Sequence, residues 1–466
     1  MKTLRTLATP LAGALLAGGA AAQFSLTEIA LIDLDSTANA LNPEYIGSNP
    51  SAVAWDGTDL FVAGYNNQGT TDFAGIVKVS GALSSPTFGV AFGVLSTPSL
   101  RGYSGLDVSG GVLAAAYDPG SSDPNGITAW DLNGGQLWAR DARGGSGTGF
   151  DPGFPGGTPA LGAGVGWTTF GSGRRALQDT ASGADIYTTS DGMVILSSEG
   201  TFWRDMDYDD ATGDVWLREG NNVIHAVRSG DNAVSTINVT VDVNDQDFIN
   251  GQNLAFIDFG LNDWIIYNDR DATAPGQDFF AVNKAIRPDG SPVTLSFFGT
   301  SPPVSAAYYD YSWDPASQTL AVLDFSNRNV HIYAVVFDCG GAVLATETVR
   351  LGTPANPNAL LPGATSGPVI GQIWDPVIAP FLSGAILDFM GISPGTLNLP
   401  SPIGTILCNP PAASLTFTSA GGAPFAVPIP PDCGLAGAAL CAQGGQLSAA
   451  GVISLTNALD IVLGTL

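Results

Sequence analysis

Between Gln23 and about Thr353 the chain is written in short stretches that alternate apolar and polar positions, separated by Gly, Asp and Asn. That period of two is the mark of strands with one buried face. Five segments repeat one pattern, an alternating strand, a tight polar turn and a second alternating strand. They are Ser51–Gly64, Gly105–Ala116, Arg204–Leu217, Asn253–Tyr267 and Asp310–Asp324. Their turns carry Asp-Gly, Gly-Gly and Ala-Thr-Gly, which supply the positive φ that hairpin turns require. The turn centres fall near 56, 109, 211, 261 and 316, and the double gap between the second and third leaves room for one further unit around 140–200. Hairpin units repeating roughly every 50 residues predict an all-β fold, a β-propeller of about six blades in which each blade buries its faces against its neighbours. Separate β-sandwiches are the alternative arrangement. Ser25–Leu34, with Leu26, Ile29 and Leu31, is placed to pair with the last blade and close the ring.

The pattern changes at 352–358, where Pro354 and Pro357 alternate with Asn356 and Asn358 and read as a stiff linker. Beyond Leu360 the acids are Asp375, Asp388, Asp432 and Asp460, with no Lys or Arg, and short strand patterns continue to the end. That predicts a C-terminal β-sandwich over 354–466 after a propeller over 23–353. Residues 1–22 carry a different signature. Lys2 and Arg5 precede a short apolar stretch, and Ala20-Ala21-Ala22 follows, as in a cleaved secretory signal peptide. No later segment is long and apolar enough to be a membrane-spanning helix.

Composition sharpens the picture. Of 466 residues only 12% are charged, yet 42 Asp and Glu stand against 16 Lys and Arg, for a net charge of −26. That balance excludes nucleic acid and anionic lipid as partners, since both are held by Lys and Arg. The 60 Gly and 31 Pro exclude a helical bundle, because both oppose helix interiors. Four cysteines, Cys339, Cys408, Cys433 and Cys441, in an exported chain read as disulfide candidates, with Cys408 bound to Cys433 or Cys441.

Candidate chemistry is sparse. His225 and His331 both fall inside alternating strands. Gly391-Ile-Ser-Pro-Gly395 has the spacing of a nucleophile elbow, but Pro394 lacks the N–H that such an elbow turns toward the oxyanion, and no His follows. Asp205, Asp207, Asp209, Asp210 and Asp214 begin like a calcium loop and then depart from it, with Asp210 in place of Gly and Trp216 in place of Glu. They fit a blade hairpin, Asp205 and Asp207 on one strand face and the others in its turn. The tryptophans Trp55, Trp130, Trp138, Trp167, Trp203, Trp216, Trp264 and Trp313 sit where blade cores want bulk.

Two resemblances add expectations. The repeated hairpins resemble the inner strand pairs of NHL-type and gluconolactonase-like propellers, in which inner-strand acids face a central channel and can hold Ca²⁺; Asp107, Asp207, Asp258 and Asp310 are the comparable positions here. The C-terminal pieces Pro368–Trp374, Ile406–Cys408, Val427–Asp432, Leu435–Gly437, Ala442-Gln443 and Leu455–Gly464 resemble the β-domain ending many large secreted planctomycete-type proteins. The second likeness implies export, attachment or packing and offers no catalytic residue. The resulting expectation is a secreted, extracellular, cell-surface or periplasmic protein with a non-catalytic binding or structural role, its partner a surface polymer or protein. The alternative is a calcium-dependent hydrolase or lactonase acting in the propeller channel.

Overall fold

A computed structural model describes residues 23–465, apart from 36–45, 47–48, 66–73, 95–101, 118–125, 142–143, 154–162, 170–173, 188–192, 196–202, 210–211, 220–222, 228–233, 238–252, 260–262, 271–280, 301–309, 339–342, 380–384, 410–414 and 431–434. The signal-peptide segment 1–22, Cys339 and Cys433 lie outside the described residues. Every regular element described is a β-strand, and no helix is long and apolar enough to cross a membrane.

Six antiparallel four-stranded blades follow one another in the chain. Their innermost strands are Asn49–Trp55, Tyr103–Ser109, Gly145–Asp151, Trp203–Tyr208, Leu254–Ile257 and Tyr311–Asp314. Each packs against the next, and the sixth packs against the first, so the ring is closed. The five repeated hairpins of the sequence are the inner strand pairs of blades 1, 2, 4, 5 and 6. Blade 3 occupies the gap.

The strand Gln23–Asp33 completes blade 6 as its fourth, outermost member, beside Asn329–Asp338, and its other edge meets the outer strand of blade 5. N-terminal chain thus closes a blade built from the end of the domain. Phe24, Leu26, Ile32 and Leu34 are buried, while Ile29 and Leu31 are half exposed. A seam of Val53, Trp55, Leu60, Val62, Leu323, Val330 and Ile332 joins the first blade to the sixth. At roughly 1.5–3 kcal/mol per fully buried large side chain, such seams dominate the stability of the ring.

Blade 3 begins in a glycine-rich stretch. Gly145–Asp151 is the blade's innermost strand. Its glycines are used for closeness: a Cβ on Gly147 would lie 2.7 Å from the Met206 nitrogen, and one on Gly149 2.9 Å from the Tyr208 ring. Only a strand without side chains there lets blade 4 approach so tightly.

The second unit spans Phe337–Leu466 and is described by itself. It is built on a five-stranded antiparallel sheet ordered Thr346–Arg350, Ile453–Val462, Ala439–Ser448, Ala385–Ser393 and Leu415–Ala420, with three two-stranded ribbons. Its core gathers Leu360, Ile378, Met390, Phe425, Leu459 and Ile461 around Trp374. The boundary therefore lies before the expected 354, because Thr346–Arg350 pairs with the C-terminal strand. The supposed linker is welded into this unit. Asn356 Nδ2 donates to the carbonyls of Thr405 and Thr456 at 2.7 and 2.6 Å, and its Oδ1 accepts the Thr405 N–H at 2.6 Å. Alternating Pro and Asn signalled stiffness correctly; the amides show what the stiffness serves. Of the two expected partners for Cys408, the disulfide forms with Cys441.

Candidate functional site

The inner strands surround a cavity of about 290 Å³. Each inner strand has one edge paired within its blade and one edge facing the next blade, where no strand continues the ladder. Its N–H groups on that side need other acceptors. The channel acids supply them. Asp107 in blade 2 accepts the Phe150 N–H of blade 3 at 3.0 Å. Asp205 and Asp207 in blade 4 accept Leu254 N–H and Phe256 N–H of blade 5 at 2.9 and 2.7 Å. Asp310 in blade 6 accepts Val53 N–H of blade 1 at 2.6 Å, and Ser312 accepts Trp55 N–H at 2.9 Å. The spacing of two in Asp205/Asp207 and Asp310/Ser312 matches the spacing of two between outward N–H groups on the receiving strand. Three joints of the ring are therefore stapled by side-chain oxygen on backbone.

The other joints use different means. Ser51 donates to the Tyr103 carbonyl between blades 1 and 2 at 2.9 Å. Glycine closeness and an Arg175–Tyr208 hydrogen bond of 2.8 Å serve blades 3 and 4. Asn253 Nδ2 reaches Asp310 between blades 5 and 6 at 2.9 Å. Asn253 is buried, and its Oδ1 has no hydrogen-bond partner among the described residues.

All four acids singled out from the sequence, Asp107, Asp207, Asp258 and Asp310, line this cavity, together with Asp56, Asp205 and Asp314. They are not equivalent in the ring. Asp107 and Asp207 are staples, and Asp310 is a staple one side-chain repeat before Ser312. Asp258 follows Leu254–Ile257 and faces Asp263, whose carboxyl is pushed up to about 7 by burial and then by the charges of Asp258 and Asp209. Asp205 was assigned to the hairpin face alone; its channel role was missed, although its spacing from Asp207 carried the signal. Asp209 accepts Thr212 N–H and Oγ1 in the turn, at 3.1 and 2.6 Å.

Both oxygens of four channel acids are already engaged. Asp107, Asp205 and Asp207 each accept one N–H from the next residue and one from the next blade. Asp310 accepts from Val53 and Asn253. Burial pushes Asp310 up to about 7 against the pull of those donors, and burial together with the charge of Asp310 holds Asp205 well above the usual carboxylate range. Among the described residues, no three His, Cys, Asp or Glu side chains are grouped to hold a metal ion. Six aromatic residues stand around the cavity: Trp55, Tyr208, Phe256 and Tyr311 are buried, and Phe150 and Trp313 are half-buried.

Away from the cavity Trp130, Trp138, Trp167, Trp216 and Trp264 are buried and pack the blades. His331 is buried on the strand Asn329–Asp338, and the side chains of His225 and Trp203 lie outside the description.

The fold and this ring of inner strands define a six-bladed β-propeller with an acidic, aromatic-lined channel, followed by a second β unit. No protein-family model matches the chain, and no curated protein matches it. Among solved structures it is similar to the β-propeller domain of Cps50 (Swd1) from Myceliophteria thermophila, at 11% identity and a TM-score of 0.33, over 61% of this chain and 83% of that chain.

Proposed function

We propose that the chain is an exported, non-catalytic binding protein whose propeller channel receives a cationic group with apolar surface. One observation carries this reading: among the described residues the cavity is lined by seven aspartates and by no Lys or Arg, with Phe150 and Trp313 as half-buried rings beside them, while the oxygens of four of those acids are tied to the scaffold. The acid-rich lining sets a negative potential, and the tied carboxylates are not free to swing as general bases or to gather round a metal. Aromatic faces add attraction for an ammonium or guanidinium. The C-terminal unit, with its planctomycete-type likeness, serves attachment or packing, and the leader 1–22 directs export.

Calorimetric titration with benzyltrimethylammonium and with its neutral tert-butyl analogue tests the site. Binding of the cation alone, weakened at least tenfold in Asp258→Asn/Asp314→Asn, is the expected result. Equal binding of both probes, or of neither, removes the reading. The calcium-dependent hydrolase alternative requires the stapled oxygens to exchange N–H donors for metal. A calcium-dependent rise in the melting temperature that Asp207→Asn abolishes would favour it.

A further inference from the structure

His331 sits on the strand Asn329–Asp338, between the closing strand Gln23–Asp33 and the middle strand Thr319–Asp324. Its Nδ1 is 2.8 Å from Glu28 Oε2 on the closing strand, and its Nε2 is 3.8 Å from Asp324 Oδ2 on the other side, an ion-pair distance. The imidazole is 1% exposed and stacks on Tyr333 of its own strand at 5.9 Å. On the outer side, Gly299 is packed against Glu28, where a Cβ would come within 2.8 Å. Among the described residues, the carboxyl groups of Glu28 and Asp324 face His331 from its two neighbouring strands, and Tyr333 of its own strand stacks on it. One imidazole between two carboxyl groups joins the N-terminal strand to the blade it completes. The strand is tied a second time at its end, where Leu34 N–H donates to the Arg328 carbonyl at 2.9 Å and Arg328 pairs with Asp35 at 2.7 Å.

We infer that His331 is a pH-operated latch on ring closure: protonated, it locks the N-terminal strand into blade 6, and neutral, it leaves Glu28 and Asp324 facing each other across the strand and loosens that strand alone. Burial pulls the imidazole down, but the carboxyl groups on its two sides, Asp324 at 3.8 Å and Glu28 in a hydrogen bond, outweigh it and raise its pKa. The sign follows by linkage. A group whose native pKa is raised gives its full stabilisation below its unfolded value, near 6.5, and loses it as pH rises through the folded value. The strand Gln23–Asp33 is the outermost of blade 6, and local opening is cheapest at such outer elements. The latch is independent of what the channel binds.

Hydrogen exchange on the full secreted chain, corrected for the intrinsic pH dependence of exchange, tests this between pH 5.5 and 9.5. Amides of 24–33 should lose at least tenfold of their protection across that range, while those of Val112–Tyr117 in blade 2 keep theirs. In His331→Gln the loss should vanish, and in Glu28→Gln it should shrink. Constant protection of 24–33 in the wild type overturns the latch, as does an unchanged loss in His331→Gln. Should that variant fail to fold, the wild-type profile and Glu28→Gln decide by the same criteria.

Discussion

The propeller and the C-terminal unit are both antiparallel β-structures, and both must satisfy backbone groups where one sheet ends and another begins. They do so with opposite chemistry. In the propeller the acceptors are carboxylates, Asp107, Asp205, Asp207 and Asp310, each taking N–H groups from the next inner strand. In the C-terminal unit Asp375 and Asp388 also accept backbone N–H groups, but much of the work falls to neutral amides that donate and accept together. Gln443 Nε2 donates to the Thr405 and Thr456 carbonyls at 2.8 and 2.9 Å, while its Oε1 accepts Leu407 N–H at 2.8 Å. Asn457 does the same for both backbone groups of Leu360, at 2.7 and 3.1 Å. The difference follows from what is exposed. Inner blade edges meet a channel where carboxylates reach N–H groups pointing across the joint, whereas the C-terminal ribbons present N–H and C=O side by side. A carboxylate cannot donate, so a group that both donates and accepts is needed there, an amide or, at Gly444, the Thr456 hydroxyl.

This contrast predicts different responses to pH. Asp310 pushed up to about 7, with Asp205 also raised, means that the folded propeller holds protons that the unfolded chain has released. Its stability should be greatest near pH 4 and fall as pH rises through 7, by on the order of 4 kcal/mol for a shift of that size. Asp375 of the C-terminal unit shifts the other way, held low by the Thr365 hydroxyl and by the N–H groups of Thr365 and Ser366. Its contribution is present above the ordinary carboxylate range and is lost in acid. Calorimetry should therefore show the propeller transition falling between pH 4 and 8 while the C-terminal transition holds or rises. Two transitions moving together would break the comparison, and Asp310→Asn should flatten the propeller's slope.

The ring was legible because its grammar is local. Alternation and turn chemistry at Ser51–Gly64 or Asp310–Asp324 need no distant partner to be read. Blade 3 was hidden as a strand because its inner edge is written in glycine, whose usual meaning is a loop; its function here, room for Asp205 and Met206 of blade 4, is a tertiary fact. Four of the acids were placed at the channel through the resemblance to gluconolactonase-like propellers. Their partners were not, because a bond from Asp310 to Val53 joins positions 257 apart. The welded Asn356 was misread for the same reason, its carbonyl partners lying 49 and 100 positions away.

Redox chemistry separates the two units next. Cys408 and Cys441, buried and 33 positions apart, close a loop inside the C-terminal unit. Removing such a crosslink costs about 3–4 kcal/mol on the chain-entropy account. Cys408→Ala/Cys441→Ala should lower the C-terminal transition by that amount and leave the propeller transition in place. A matching drop in the propeller would mean that the units unfold as one, and the pH contrast would then lose its basis.

The smallest effect isolates a single staple. Asp207 accepts Tyr208 N–H through one oxygen and Phe256 N–H through the other. Asp207→Ala leaves both without that acceptor, with the Phe256 N–H stranded at a blade joint, and should cost about 1–3 kcal/mol. Asp207→Asn keeps one acceptor and turns an NH₂ toward the other donor, so it should cost roughly 1 kcal/mol and no more than the alanine. Urea unfolding of the propeller measures both. If the acid were there for a ligand rather than for the joint, neither variant would alter stability in the absence of ligand. If charge alone mattered, Asn and Ala would be equally damaging, since both abolish it. An asparagine lying between wild type and alanine is the outcome that belongs to a staple, because only there does the number of accepted N–H groups set the order.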